Sequence, residues 1–474
     1  MKAVRRIRIA SLFSGAGGLD LGFLTAGQFE IIFANDILLP AAETYSRNFG
    51  LKLEIFNEKN GMIEARPRTV LACDVAKVDF SSLSDEEIDV VAGGPPCQDF
   101  SIVRGPAWDR RGIEVKRGRL YAHFVRALVQ LQPKLFVFEN VPGLVSANRG
   151  VAYRIITEDF ANLRLRWRDV KKVISVNNNS KEIQGYHLIY SEVADFSKLG
   201  VPQKRERLII MGVRQDLLEN SFENIYDLKA IVQKKLSGSE QLFHKYPLTP
   251  IEVFEGRPLN ELNERYRQVM MKWDGVWEDV DTERAHRWKK QVWGALTFDA
   301  ISDYLKVNGI KPMSQKELEQ ALEQHARLLA ELEYLGRPVS SLQPPDSTNS
   351  LPRESEEVVE RMKRIPPDEN HLFVEGTKWR VEGKGISLVY RRIHPLKPSY
   401  TIVAYGGGGT HGYHYDRDRA TLTLREKARL QTFPDSFLFS GKRTEVRAQI
   451  GEAVPPLAAK RIAEAVIEIF KLLS

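Results

Sequence analysis

Cys97 stands in the stretch VVAGGPPCQDFS and is one of only two cysteines in 474 residues. Proline fixes its own φ and biases the residue before it towards extended backbone, so Pro95 and Pro96 hold the thiol stiffly at a strand-to-loop corner. A cysteine that merely fills a core gains nothing from such a corner; Cys73, inside VLACDV, suits that role. A nucleophilic thiolate needs partners that handle a proton or a developing charge. Glu139, in FVFENV, is one candidate, because a buried carboxyl with a raised pKa can protonate or hydrogen-bond a ring nitrogen. Arg205 and Arg207, in QKRERL, are others: in an extended segment they share a face and would aim two guanidinium groups at one pocket. No histidine stands in these motifs, so a thiol–histidine pair for acyl transfer fits poorly.

A second constellation sits at other strand ends. FSGAGG, Phe13 to Gly18, follows an apolar run, and its glycines allow close backbone approach. The spacing matches G-x-G-x-x-G poorly and no P-loop lysine follows, so the loop alone fits a cofactor site or a tight turn equally well. Asp36 ends the next run, where a carboxylate receives ribose hydroxyls, and Asp74 ends the one after, where it could bond an adenine amine. Two acids at corresponding places, with Phe13 available to stack, favour an adenosine-bearing cofactor. The missing pyrophosphate motif means that the adenosine need not carry phosphates.

These residues need a scaffold that lines up strand ends. RIRIASLF, FEIIFAND, RTVLACDV, IDVVAGG and KLFVFENV read as five strands with helical segments such as YAHFVRALVQLQ between several of them, which predicts an α/β, doubly wound parallel sheet. YHLIYSEV and ERLIIMGV read as an antiparallel pair. Beyond about Gln215 the rhythm changes to long polar helical stretches and loops. SQKELEQALEQHARLLAELEYLG is the clearest helix, with Ser314 and Glu317 placed for a capping box and Gly336 where a C-cap would stand. RPVSSLQPPDSTNSLPRES reads as an exposed linker. Composition is that of a globular protein, 43% hydrophobic and 28% charged. Net charge is +7, which permits a polyanion partner without proving one. Two cysteines suit a reducing interior, and no run approaches the roughly 18 apolar residues of a membrane span. A soluble cytoplasmic protein with no membrane partner is therefore expected.

Taken in order, SLFSGAGG, GGPPCQDFS, RGRLYAHFVRAL, FVFENVPGL, VPQKRERLIIMG, RATLTLREKARLQTFPD and QIGEAVPPLAAKRIA resemble the motifs of the DNA (cytosine-5)-methyltransferase family. The resemblance covers nearly all of residues 8–214 and 388–466. It implies a Rossmann-like S-adenosylmethionine-dependent methyltransferase domain with a smaller, variable target-recognition domain. On this reading 1–214 and 446–474 form the catalytic and cofactor-binding part, and 215–445 is the target-recognition region. The resemblance implies that the Cys97 thiolate adds to C6 of cytosine, that Glu139 holds N3, and that Arg207, supported by Arg205, steadies charge on O2. It implies S-adenosyl-L-methionine as cofactor, bound by Phe13, Ser14, Gly15, Ala16, Gly17, Gly18, Asp36, Asp74, Val75, Gly94, Pro96, Leu120 and Glu452. Glu452 departs from the family, which usually has asparagine there; cofactor binding is expected to survive, perturbed by the loss of the amide donor.

Double-stranded DNA is the implied partner, met by Gln98, Ser101, Arg104 and Gln203. The segment after Cys97, with Arg110 and Arg111, reads as a closing lid; the alternative is a solvated basic loop. RAHRWKKQVWG suits nucleic acid as well as an ordinary amphipathic helix. HGYH has metal-like spacing without further ligands, so no metal is expected, and Arg425 and Glu426 are expected to orient the recognition region. A prokaryotic monomer acting beside a separate restriction endonuclease is the leading expectation. A tRNA cytosine-C5 methyltransferase, or a non-catalytic DNA-binding relative, is the alternative.

Overall fold

A computed structural model of the chain describes residues 5–56, 61–96, 119–164, 166, 167, 170, 184–218, 222–383, 389–406, 409–419 and 421–473. They form two compact units. The first comprises 1–195, 206–240 and 454–474, and the second 196–205 and 241–453.

The first unit is built on an eight-stranded sheet: β1 (Ile7–Leu12), β2 (Phe29–Asp36), β3 (Lys52–Ile55), β4 (Thr69–Ala72), β5 (Val90–Gly93), β6 (Leu135–Asn140), β7 (Tyr186–Asp195) and β8 (Glu206–Arg214). The spatial order is β3-β4-β2-β1-β5-β6-β8-β7. β3 to β6 pair in parallel through β4, β2, β1 and β5, while β8 runs antiparallel to both β6 and β7. Central strands buried on both faces read as continuous apolar runs, and β4 and β5 are buried throughout. This is why the central strands are legible in the sequence. Edge strand β3, KLEI, has exposed ends and no such run; the sequence reading passed over it.

Register fixes where the strands stop. Leu12 lies level with Asn35 and Gly93, Asp36 with Ala72, and Gly93 with Phe138, so five carboxyl ends share one edge. β1 has β2 on one side and β5 on the other, which makes it the point where strand order reverses and ligands bind. Helix α1 (Gly18–Ala26) leaves directly from the glycine loop, followed by α2 (Leu39–Phe49), α3 (Arg119–Leu131), α4 (Phe222–Leu236) and the C-terminal helix Pro456–Leu472. Beneath the sheet, Phe124, Phe136, Phe138 and Phe160 pack together, mostly edge to face, Phe124 and Phe138 at 5.4 Å and 78°, as ring quadrupoles favour. The unit keeps α4, past the expected boundary at 214, because that helix packs on β7 and on the C-terminal helix.

The second unit has no sheet of its own among the described residues, only isolated bridges. Trp273, Trp277 and Trp288 cluster with Phe373 in its core. Trp288, from RAHRWKKQVWG, is buried there, so its helix (Glu283–Gln291) presents the indole inward. Helix α5 (Gln315–Glu331) starts where the sequence predicts, with Ser314 Oγ accepting from the Glu317 N–H. The box is not reciprocal: the Glu317 carboxylate accepts from Met313 N–H and from Lys245. The left-handed residue after the helix is Glu333, with φ 66°, ahead of Gly336.

The 337–355 segment is exposed over much of its length, as its composition suggests, but it is pinned down at its two buried positions, Val339 and Thr348. Asp346 and Thr348 are enclosed with Arg425, which donates to Asp346 Oδ2 at 2.9 Å and Thr348 Oγ1 at 3.0 Å. Asn349 Nδ2 donates to the carbonyls of Val339 and Leu342. Polar turn residues here satisfy their own backbone and one buried cation, which is how a segment without apolar periodicity stays packed. Among the described residues, no helix is long and apolar enough to cross a membrane.

Candidate active site

At the carboxyl edge of the sheet, β6 delivers Glu139 and neighbouring β8 delivers Arg207. Arg207 Nε lies 2.9 Å from Glu139 Oε1, and the two side chains are 14% and 12% exposed. The pair is therefore shielded yet reachable. Gly94, just past β5, runs against it: a Cβ at Gly94 would stand 2.6 Å from Glu139 Oε2. Asn140, which the sequence reading did not single out, donates from Nδ2 to the Pro95 carbonyl at 2.9 Å, and its Oδ1 accepts from the Val141 N–H. The backbone leading into Cys97 is thus anchored beside the carboxylate. Pro95 is buried and Pro96 exposed. Cys97 itself lies outside the described residues, as do Gln98, Ser101, Arg104, Arg110 and Arg111.

The glycine loop is built largely from left-handed backbone. Phe13 and Gly15 both have φ of 54°, and Gly17 has φ of 90°. The N–H and hydroxyl of Ser14 both donate to the Asn35 carbonyl, and Gly17 N–H closes on the Ser14 carbonyl at 2.9 Å. Nothing stands within 4 Å of a Cβ placed on Gly15, so the loop faces open space. Ala16 and Gly18 are buried behind it. Asp36 closes the far side: its Oδ2 accepts from Gly15 N–H and its Oδ1 from Leu38 N–H, each at 2.8 Å. Burial pushes this carboxyl above its usual range, against the opposing pull of those N–H groups. With the Ile37 N–H also directed at it, the carboxylate keeps a lone-pair direction for one hydroxyl donor. Ile37, which the sequence reading also missed, is 65% exposed beside Asp36 and offers an apolar surface to a flat ring.

Asp74 caps a short turn by accepting from Ala76 N–H at 2.9 Å. The Val75 carbonyl accepts from Arg126, an enclosed arginine of α3 whose guanidinium lies over the Phe80 ring. Burial lowers the pKa of Arg126 to about 10, and its position beneath Asp74 and Val75 braces the end of β4. Leu120 is half-buried against the same core. Cys73 is buried as expected, its thiol pushed up to about 11 by burial.

Two expectations are corrected. Gln203 is enclosed rather than available to DNA, donating to the Leu430 carbonyl at 2.8 Å and to Gln431 Oε1 at 2.7 Å, while its own Oε1 accepts from Ile402 N–H. Arg205 is likewise fully buried. Its guanidinium donates to the carbonyls of Gly451 at 2.9 Å and Ala453 at 2.8 Å. Those are the carbonyls that a helix C-terminus leaves unpaired, so Arg205 braces that helix instead of pointing a second cation at a substrate. Alternation along an extended segment gives the face of a side chain, not the partner waiting on that face. Glu452 is the last, exposed residue of the same helix, Arg443–Glu452. Arg425 and Glu426 are both buried and structural, Glu426 completing a reciprocal capping box with Thr423. His414 of HGYH is buried against the Phe254 ring, 5.3 Å away.

The model of the C-5 cytosine-specific DNA methylase family matches residues 7–468 of this chain. The DNA (cytosine-5-)-methyltransferase M.ApeKI of Aeropyrum pernix is 68% identical over 464 residues, covering 98% of this chain and 99% of its own length. The type II methyltransferase M.NgoFVII of Neisseria gonorrhoeae is 31% identical over 471 residues, covering 98% and 87% respectively. Among solved structures, an E. coli protein described as a prophage-encoded candidate DNA modification methyltransferase has a TM-score of 0.50 at 20% identity, over 98% of this chain and 99% of that one. That last likeness is one of fold.

Proposed function

Given that the chain belongs to the C-5 cytosine-specific DNA methylase family and is a DNA (cytosine-5-)-methyltransferase, we propose that it methylates cytosine C5 within a specific duplex sequence through a transient bond from the Cys97 sulfur to C6. S-adenosylmethionine, when bound, supplies an electrophilic methyl group. Phe13, the Ser14–Gly18 loop, Asp36, Asp74 and Val75 would hold it, and the open space before Gly15 supports the fit. Gly94, Pro96 and Leu120 would complete that wall.

Cytosine C5 is a poor nucleophile until C6 carries an electron-rich substituent. Addition of the Cys97 thiolate to C6 turns C5 into an enamine-like carbon that could take up the donor's methyl group; loss of the C5 proton to a base and of the thiolate from C6 would then restore the C5–C6 double bond. Glu139 would bond N3 and Arg207 would face O2, drawing charge out of the ring as the sulfur attacks. The observation that carries this reading is the shielded Glu139–Arg207 pair beside the backbone entering Cys97. A stacked base cannot reach such a site, so the target must leave the helix, which costs roughly a few kcal/mol. Lid residues Ser101 and Arg104, with Gln98, would meet the strand, and the 215–445 region would read the sequence. Kinship with proteins named type II methyltransferases supports a restriction–modification setting.

Cys97→Ser is expected to abolish methyl incorporation while leaving duplex binding largely in place. Turnover retained in that variant would refute the nucleophile. Incorporation into tRNA but not duplex DNA would overturn the substrate.

A further inference from the structure

The second unit encloses a cavity of about 320 Å³ whose charged lining has no part in the chemistry above. Its walls carry Lys427, Arg443, Arg447, Arg353 and His411, together with the apolar surfaces of Val358, Leu422 and two tyrosines. Lys427 is 3% exposed, and its ammonium has no hydrogen bond or ion pair with any described residue. Arg443 donates only to Ser350, and Arg447 only to the Ala404 carbonyl. The nearby carboxylates are already engaged: Glu354 accepts from the N–H and hydroxyl of Thr421, and Glu426 from Arg417 and Thr423. Three cations thus share a recess with no carboxylate paired to any of them.

Of the three only Lys427 is buried, Arg447 being half-buried and Arg443 exposed; an enclosed ammonium without a partner is costly unless an anion pairs with it or it sheds its proton. Burial, then Arg447 and Arg443, pushes Lys427 down to about 7 against the pull of Glu426. Burial, Lys427 and Arg447 push His411 down to about 4. The rest of the lining is mixed: Glu354, engaged with Thr421, and Ser355 stand beside Val358, Leu422 and the rings of Tyr390 and Tyr413, which lie 5.6 Å apart. Gly409, with φ of 86°, keeps its side of the rim low beside Tyr390. A bare tetrahedral anion would leave most of this volume to water, whereas an anion carried on a sugar would use both the cations and the rings.

We propose that this cavity receives one backbone phosphate of the bound DNA strand with its deoxyribose, held by Lys427, Arg443 and Arg447. The proposal deepens the duplex-DNA reading and rests on it.

Anisotropy titrations of a labelled duplex over a range of salt concentrations test it on the full chain. Lys427→Met with Arg447→Gln is expected to weaken a target duplex and a random duplex alike, by about tenfold. Loss of one phosphate contact should also make the slope of log K against log[salt] shallower by about 0.9. Arg443→Gln, at an exposed position that cannot disturb the core, should act in the same direction, and Lys427→Arg should retain most of the affinity. Unchanged slopes in both the double variant and Arg443→Gln, with wild-type binding intact, overturn the proposal. A melting shift by inorganic phosphate or a mononucleotide that Lys427→Met abolishes, beside unchanged DNA slopes, also overturns it and makes the cavity a small-anion site. Failure of the wild-type chain to bind any duplex would instead remove the functional reading on which the proposal stands.

Discussion

Glu139 is held on two sides, by the Arg207 guanidinium at 2.9 Å and by the backbone at Gly94. The second contact makes Gly94 a steric gauge of the carboxylate's position. A methyl there would stand 2.6 Å from Oε2, well inside contact distance, and the atom it meets is the end of a side chain. The fold should yield little and the carboxylate should swing. Displacement of about 1 Å at a reacting group can cost on the order of 100-fold in rate. Gly94→Ala is therefore expected to lower kcat by that order while leaving the melting temperature and duplex affinity near wild type. A variant with full kcat would mean that the carboxylate moves freely or does not meet the base. The neighbouring glycine behaves differently: a Cβ on Gly93 meets the Leu12 backbone in the adjacent strand, so substitution there attacks the sheet itself.

Element packing shows the same dependence on close approach. Gly22 of α1 faces the backbone of the C-terminal helix, and a Cβ there would stand 2.5 Å from Pro456 O and Lys460 N. Alanine in a helix interior is favoured over glycine by about 1 kcal/mol, while overpacking against an unyielding neighbour costs about 1–3 kcal/mol. The clash should win, because backbone cannot rotate away. Gly22→Ala is expected to lose about 1–2 kcal/mol in urea unfolding and to weaken donor binding, since α1 leaves directly from the Phe13–Gly18 loop. A more stable variant would show that the helices can separate without cost. Much of this architecture was legible in the sequence because a doubly buried strand must be apolar throughout. β2 coincides with FEIIFAND, and the motif residues fall at strand ends because strands stop where ligand groups begin. What remained hidden depends on partners far along the chain. Nothing local in QKRERL reveals that Arg205 closes on carbonyls near residue 451, or that Gln203 pairs with Gln431. The largely exposed 337–355 segment is tied down at Asp346 and Thr348 by one distant cation, Arg425, which its own composition could not show.

For the whole molecule, stability and site construction pull against each other at Asp20. This residue of α1 is fully buried beneath the glycine loop, where Ser11 Oγ donates to its Oδ2 at 2.8 Å while Oδ1 has no hydrogen-bond partner. Burial pushes the carboxyl up to about 6, with the Ser11 hydrogen bond opposing. The folded chain therefore keeps a proton that the unfolded chain has released between about pH 4 and pH 6. Its stability falls as pH rises through that window, and the loss persists at neutrality. A shift of this size corresponds to about 3 kcal/mol, a large share of a typical domain's margin. What the acid supplies in return is a tie between the end of β1 and the first turn of α1, the two supports of the Phe13–Gly18 loop proposed to hold the methyl donor. Asp20→Asn should match wild type in unfolding midpoint near pH 4 and pull ahead of it progressively up to about pH 6. Above that the gap should stay constant at up to about 3 kcal/mol, and donor affinity should be reduced by the altered hydrogen bond to Ser11. The difference between the two proteins isolates this one group from the other carboxyls that titrate with it. A gap independent of pH from 4 to 8 would show that Asp20 is ionised in the fold and that its burial is compensated elsewhere.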